Sequence, residues 1–311
     1  MTAIESLPVK GTITAANESR FQHAHLSEPL TAYSMGWKDP HNLQALLDFL
    51  APAVPVARRF EFRKSTAADF YYSEDDDVRA IGANFKRVGY SGETVQSKTL
   101  NKGLTIRVDH DEEVGPDWRE RYVGLLVQRL LRNELRRALK AMDNATIASP
   151  QAWGANANPD GDLRAELFQG TLGTGLRPNR ILYGPVAWDL RQNVYDQQDN
   201  AAAARAGGLS PEELARKVFV DELRLMSPYF HDGQELQAMV EHSIYLFYGQ
   251  NGIHRDEPST LKRFYTPTDD GNAFRVYVEE HAKYTDISVE HYSQVVLTNP
   301  DGLCRMTVSG A

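Results

Sequence analysis

Two clusters in the sequence carry the side-chain types of a metal site: Asp109-His110-Asp111-Glu112-Glu113 and His23-Ala24-His25. Imidazole nitrogens and carboxylate oxygens are common ligands of zinc. The first cluster, however, follows an alternating strand pattern and precedes a helical one, where acids are favoured by the helix dipole alone. A structural role is the expectation for it. The run Glu74-Asp75-Asp76-Asp77 lacks the spaced oxygens, central glycine and closing glutamate of a calcium loop, so a solvated acidic turn is expected. Gly170, Gly173 and Gly175 suggest a phosphate loop, but no Gly-Lys-Ser/Thr follows them and they precede a strand. Tyr71, Tyr72 and Tyr90, with Lys86 and Arg87 near, have the chemistry to stack on bases. The acids at 74–77 oppose that, and protein–protein contact is the better use of these aromatics. Neither a Gly-x-Ser-x-Gly elbow nor a His-Glu-x-x-His motif occurs. Cys304 is the single cysteine, which leaves no internal disulfide and no ordinary zinc cluster. The expectation is therefore no catalytic residue, no cofactor and no metal.

The 311 residues allow one large or two modest domains, and the net charge is −8. A surplus of acids argues against a protein whose main work is gripping phosphate backbones, though not against one that surrounds nucleic acid. No basic start followed by an apolar run marks a signal peptide. No apolar stretch approaches the ~20 residues that cross a bilayer. A soluble protein of a reducing compartment, without membrane contact, is expected.

The elements that would position these groups are unevenly written. Residues 1–57 are broken by Pro8, Pro29, Pro40, Pro52 and Pro55, with one short helix expected at 40–50 from Leu43, Leu46, Leu47 and Leu50. Residues 58–64 and 103–109 alternate polar and apolar, and read as two strands flanking a charged, glycine-marked loop. Residues 116–143 are the strongest signal. Val123, Val127, Leu131, Leu135, Ala138 and Met142 form one stripe, which predicts a helix about 42 Å long. A short helix is expected at 160–169, then a strand at 180–183, a turn at Gly184 and a helix from Pro185. Ser210-Pro211-Glu212-Glu213 is a capping box that opens another helix. Strands are expected at 219–226, 243–248 and through 273–293. Asn299-Pro300-Asp301-Gly302 predicts a turn in a terminal hairpin joining 294–297 to 303–308.

In this order the features resemble the major capsid proteins of tailed bacteriophages, with the Hong Kong 97-like fold. The strand at 58–65 and the acidic entry at 109–113 are similar to that family's extended loop running into its spine helix. So is the stretch 178–190, Pro-Asn-Arg-Ile-Leu-Tyr-Gly-Pro-Val-Ala-Trp-Asp-Leu, and Glu212-Glu213-Leu214-Ala215 running into residues 220–225. Residues 243–249 and 295–299 complete a likeness that covers about 58–308.

The resemblance implies an α+β chain with an N-terminal arm at 1–57 and an extended loop at 58–110. A peripheral domain would hold 111–150, with the spine helix, and the β region 262–293. An axial domain would hold 151–261, with a C-terminal hairpin at 294–311 returning to it. It implies a non-enzymatic shell subunit that assembles with itself as hexamers and pentamers around packaged double-stranded DNA without sequence specificity. Further partners would be a portal and a decoration or cement protein. The residues ahead of Pro116 leave no room for a fused scaffold, so a separate scaffolding protein, an uncleaved chain and no cross-links are expected. The loop would reach a neighbouring subunit through Phe60, Phe62, Phe70, Tyr71 and Tyr72. Asp75, Asp76 and Asp77 would meet the cations Arg119, Arg129, Arg132 and Arg136. Two rival readings are an encapsulin-type nanocompartment shell and a small α+β metal-dependent enzyme built on His110.

Overall fold

The computed structural model describes residues 24–64, 93–112, 115–252, 255–268 and 271–310. Its longest element is helix α3, Trp118–Ala145, of 28 residues. The stripe Val123, Val127, Leu131, Leu135, Ala138 and Met142 is fully buried, as its spacing requires. Two shorter helices brace it. These are α1 (Glu28–Gly36), capped by the Ser27 side chain on the Leu30 N–H, and α2 (Leu43–Leu50), which buries Leu43, Leu46, Leu47, Phe49 and Leu50.

Beneath α3 lies a six-stranded sheet of β1 (His25–Leu26), β2 (Ala53–Pro55), β5 (Leu100–Asp109), β12 (Leu261–Thr266), β13 (Phe274–Glu280) and β14 (Tyr284–Leu297). Strand β14 is its axis. It pairs antiparallel with β5, β13 and β12, and Thr285, Ile287, Val289, His291 and Ser293 are buried at every second position. The opposite face is polar, with Arg107 on Asp286 at 2.8 Å and Asn101 on Glu290 at 3.0 Å. A separate ribbon, β3 (Arg59–Arg63) with β4 (Thr94–Lys98), buries only Phe60 and Phe62.

A second sheet has the order β6 (Ser149–Trp153), β15 (Cys304–Gly310), β11 (Ser243–Phe247), β7 (Arg180–Tyr183) and β8 (Glu222–Leu225). Both faces are covered, which explains why Ser-Ile-Tyr-Leu-Phe in β11 is buried throughout. Leu182, Tyr245 and Phe247 close the core under α3. Ile181, Tyr183, Ile244 and Leu246 face the other way, onto α4 (Pro159–Thr174), α5 (Pro185–Asp196) and α7 (Pro211–Val218). The short α6 (Ala201–Gly207) packs on α5. At Gly184, between β7 and α5, a Cβ would stand 2.0 Å from the Glu241 carbonyl oxygen, so no other residue fits without moving the backbone. A small hairpin, β9 (Tyr229–His231) with β10 (Leu236–Ala238), completes the fold.

Several expectations are corrected. No terminal hairpin forms. Residues 294–297 continue the β14 ladder onto β12, whereas β15 crosses to the second sheet and lies between β11 and β6. The turn signal at 299–302 forms a short 3-10 turn, but it does not select the sheet that the next strand joins. Residues 103–109 do not face 58–64 either. Thr94–Lys98 takes that place, and β5 runs along β14 so that Leu104 and Ile106 reach the core under α3. The helix expected at 160–169 continues to Thr174 and stops at Gly175, whose φ of 73° ends it. The strand expected from Phe219 begins at Glu222, because Phe219 itself takes a left-handed conformation after α7. Helices α1 and α6 and strand β6 were not expected.

Candidate functional site

Residues Phe70, Tyr71, Tyr72, Asp75, Asp76 and Asp77 lie outside the described residues. The stem that leads to them is described, and it corrects one expectation. Phe60 and Phe62 are 6 % and 2 % exposed, with ring centroids 4.5 and 5.4 Å from that of Phe264. They serve this chain's own core and are not available to a neighbour.

Of the four expected cations, Arg119 is engaged by Glu280 across the end of the sheet. Arg136 lies 3.8 Å over the Phe230 ring. Arg129 is exposed on α3. Arg132, half-buried, borders a groove of about 960 Å³ whose walls include Leu43, Leu46, Arg224, Tyr229 and Leu236. The structure does not bring the four into one cluster.

Of the suspected metal clusters, His23 and Glu113 lie outside the described residues, and Asp109, His110 and Asp111 are held by ordinary contacts. His110 Nε2 is 2.8 Å from Thr285 Oγ1, and Asp109 Oδ1 accepts from the Asp111 backbone N–H. Cys304, half-buried beside α4, has its thiol pushed up to about 11 by burial, so it stays protonated at neutral pH.

A buried ionic network was missed. Glu134, with no exposed surface, accepts from Lys102 Nζ at 2.7 Å and from Arg137 Nη1 at 2.6 Å. Lys102 also reaches Ser293 Oγ at 3.1 Å, and His291 Nε2 stands 4.0 Å from Glu134. Burial pushes the carboxyl up, but Lys102, His291 and Arg137 together outweigh it and hold Glu134 below the usual range. Burial lowers Lys102 despite Glu134, and lowers His291 to about 4. A signal was present: Glu134 falls on the apolar stripe, between Leu131 and Ala138, where a solvated acid has no place. The arrangement clamps helix to sheet. With Glu134 wholly enclosed, it offers no face to a substrate.

Large apolar side chains do face water. Ile147 is 96 % exposed, Phe219 81 % and Leu236 66 %. On α4, Leu172 and Phe168 lie four residues apart on one exposed face, at 64 % and 58 %. Phe219 holds φ 58°, a conformation costly for a residue with a side chain, while showing its ring to solvent. Scattered exposed apolar residues are ordinary, whereas neighbours such as Phe168 and Leu172 on one face mark a contact surface.

No family model matches the sequence, and no curated protein matches it. Solved structures do. A phage-related protein from Bordetella bronchiseptica RB50 aligns over 92 % of this chain and 98 % of its own, at 17 % identity and a TM-score of 0.67. A protein of Microbacterium phage Oxtober96 aligns over 88 % of this chain and 92 % of its own, at 9 % identity and a TM-score of 0.54. The chain has the Hong Kong 97-like fold. The putative capsid protein of a prophage from E. coli CFT073 aligns over 92 % of this chain and 99 % of its own, at 12 % identity and a TM-score of 0.49. Among the described residues no helix is long and apolar enough to cross a membrane.

Proposed function

We propose that this chain is a major capsid protein, the repeated subunit of an icosahedral head that encloses the double-stranded DNA of a tailed phage. The observation that carries the proposal is the reach of the fold likeness, which takes in 92 % of this chain and 98 % of the Bordetella phage-related chain. The exposed Phe168, Leu172 and Phe219 support it, because a shell subunit is solvated only on its two broad faces. The role is structural. Its partners are further copies of itself in hexamers and pentamers, a separate scaffolding protein during assembly, a portal and a decoration or cement protein.

Within such a shell, α3 and the six-stranded sheet form the peripheral part, and residues 151–261 with β15 form the axial part. The loop beyond β3 and β4 reaches a neighbour. Its aromatics Phe70, Tyr71 and Tyr72 seat on apolar surface, and Asp75, Asp76 and Asp77 pair with Arg129 and Arg132. Arg119, already paired with Glu280 in its own chain, takes no part.

The test is particle size. The chain is expressed with the proteins encoded beside it, and the product is sized by light scattering and imaged by electron microscopy. Closed shells of megadalton mass are expected. A discrete small oligomer under all conditions overturns the proposal.

A further inference from the structure

From Arg129 onward α3 presents a row of cations of which, among the described residues, only Arg137 meets a carboxylate. Arg129, Arg132, Arg136, Arg137 and Lys140 fall in one short stretch of a protein whose net charge is −8. The acids near them are occupied. Glu134 is enclosed by Lys102 and Arg137. Asp143 accepts from Tyr245 Oη at 2.6 Å and from Arg305 Nη1 at 2.9 Å. Asp232, on the nearby hairpin, accepts from the backbone N–H groups of Gln234 and Glu235 and from the Gln237 amide. Arg136 and Lys140 are exposed and, among the described residues, have no carboxylate partner.

Such a face is unfavourable when left alone. Like charges three or four residues apart destabilise a helix, and 129 with 132, 132 with 136, 136 with 140 and 137 with 140 are all such pairs. The helix dipole does not account for them, since its benefit falls off within the last turn, and the last turn of α3 contains no base.

The cations also have a shape. Asn133, Arg136, Arg137 and Lys140 line a concavity of about 450 Å³ together with Leu139, Asp143, Phe230 and Met239. Stacking on Phe230 fixes the plane of the Arg136 guanidinium and leaves its N–H edge free to donate. Three cations and an amide donor border one open hollow whose single acid, Asp143, is already held by Tyr245 and Arg305, which suits an acceptor-rich polyanion. The centre of a protein–protein interface is enriched in arginine but depleted in lysine, so Lys140 is the side chain that tells against one here. Arginine, lysine and asparagine are the side chains that contact nucleic-acid phosphates.

We propose that Asn133, Arg136, Arg137 and Lys140 form a contact site for the phosphate backbone of double-stranded DNA, without base readout. The proposal rests on the reading of the chain as a shell subunit and places the inner, genome-facing side of that subunit at the C-terminal half of α3.

The test measures binding of the full chain to a short fluorescein-labelled DNA duplex by anisotropy, from about 50 to about 200 mM salt. One variant carries Arg136→Gln and Lys140→Gln. A control removes two other exposed cations, Arg205→Gln and Arg216→Gln. The first variant is expected to weaken binding about tenfold and to lower the salt slope by about 2, with the control unchanged. Thermal melts of both are expected to match the parent. The proposal is overturned if the parent binds no duplex at the lowest salt, or if both variants lose binding equally. It is also overturned if the first variant keeps DNA binding but fails to assemble, which makes the face a subunit contact. Particle sizing separates the two readings: a localised loss of DNA binding in a chain that never forms shells sinks the shell reading and leaves the site standing.

Discussion

Lys102, on strand β5, places its Nζ 2.7 Å from Oε1 of Glu134, midway along helix α3, and the carboxylate it meets has no exposed surface. The pair ties the long helix to the sheet it lies on. Each side chain is desolvated; Lys102 supplies the largest part of the counter-charge of Glu134, with Arg137 adding to it, and Glu134 supplies that of Lys102.

Glu134→Gln removes the counter-charge and leaves the Lys102 cation buried. A loss of about 3–5 kcal/mol is expected in urea unfolding of the unassembled chain. Replacing both partners, Lys102→Met with Glu134→Leu, is expected to recover most of it. A single variant as stable as the parent would show that the ion pair is not formed.

His291 gives the fold an acid sensitivity. Burial lowers its imidazole from 6.5 to about 4, with Glu134 opposing the shift and Lys102, Arg263 and Arg137 adding to it. The unfolded chain takes up this proton below about pH 6.5 and the folded chain only below about 4. The unfolded state therefore binds more protons between those values, and stability falls as pH drops through that window. The total is roughly 3 kcal/mol at about 1.4 kcal/mol per pH unit. His291→Phe, which retains a ring beside Phe274, is expected to flatten the dependence of unfolding free energy on pH across that range. An unchanged slope in the variant contradicts this assignment.

Asp160 separates two kinds of ion pair. Arg191, with no exposed surface, donates Nε at 2.7 Å and Nη2 at 3.2 Å, and its Nη2 also reaches the Ala206 carbonyl. Lys217 reaches the same carboxylate at 2.8 Å but is 41 % exposed. Arg191→Leu is expected to cost about 3–5 kcal/mol. Lys217→Ala is expected to cost about 1 kcal/mol or less. Equal melting temperatures for the two variants would refute this ordering.

Phe219, Phe168 and Leu172 are expected to serve assembly at no benefit to the isolated subunit. Phe219→Gly relieves the left-handed backbone and should stabilise the unassembled chain by about 1 kcal/mol while reducing the yield of particles. Phe168→Ser with Leu172→Ser should leave the melt unchanged and also reduce assembly. Normal particle yields from both variants would remove these residues from the interface.

The loop contact is expected to be mainly apolar, since burying one large side chain contributes about 1.5–3 kcal/mol. An exposed ion pair contributes at most about 1 kcal/mol. Replacing Phe70, Tyr71 and Tyr72 with Ser should abolish assembly, whereas replacing Asp75, Asp76 and Asp77 with Asn should only make it more salt-dependent. Assembly lost in the charge variant but kept in the aromatic one at moderate salt reverses that order.

Local signals alone determined much of the fold. The stripe from Val123 to Met142 specifies α3, expected at 116–143 and found at 118–145, because helical periodicity is a property of neighbouring residues. The capping box at Ser210 and Glu213 forms as read, with both reciprocal hydrogen bonds. The strand at 180–183, the turn at Gly184 and the helix from Pro185 are likewise written in adjacent side chains. What the sequence could not settle was partnership. Thr94–Lys98 has almost no apolar pattern and is a strand because β3 lies beside it. Helix α1 is barely amphipathic and is held by α3 and β13. The same holds for β15, whose alternation fits either sheet. Only the placement of β11, with one edge open, selects the second. The candidate surfaces divide in the same way. A run of arginines is legible in the chain. Which of them is paired by Glu280, which is oriented by Phe230, and which acid is drawn into the core, follows from contacts between residues up to 161 positions apart, which tertiary packing alone creates.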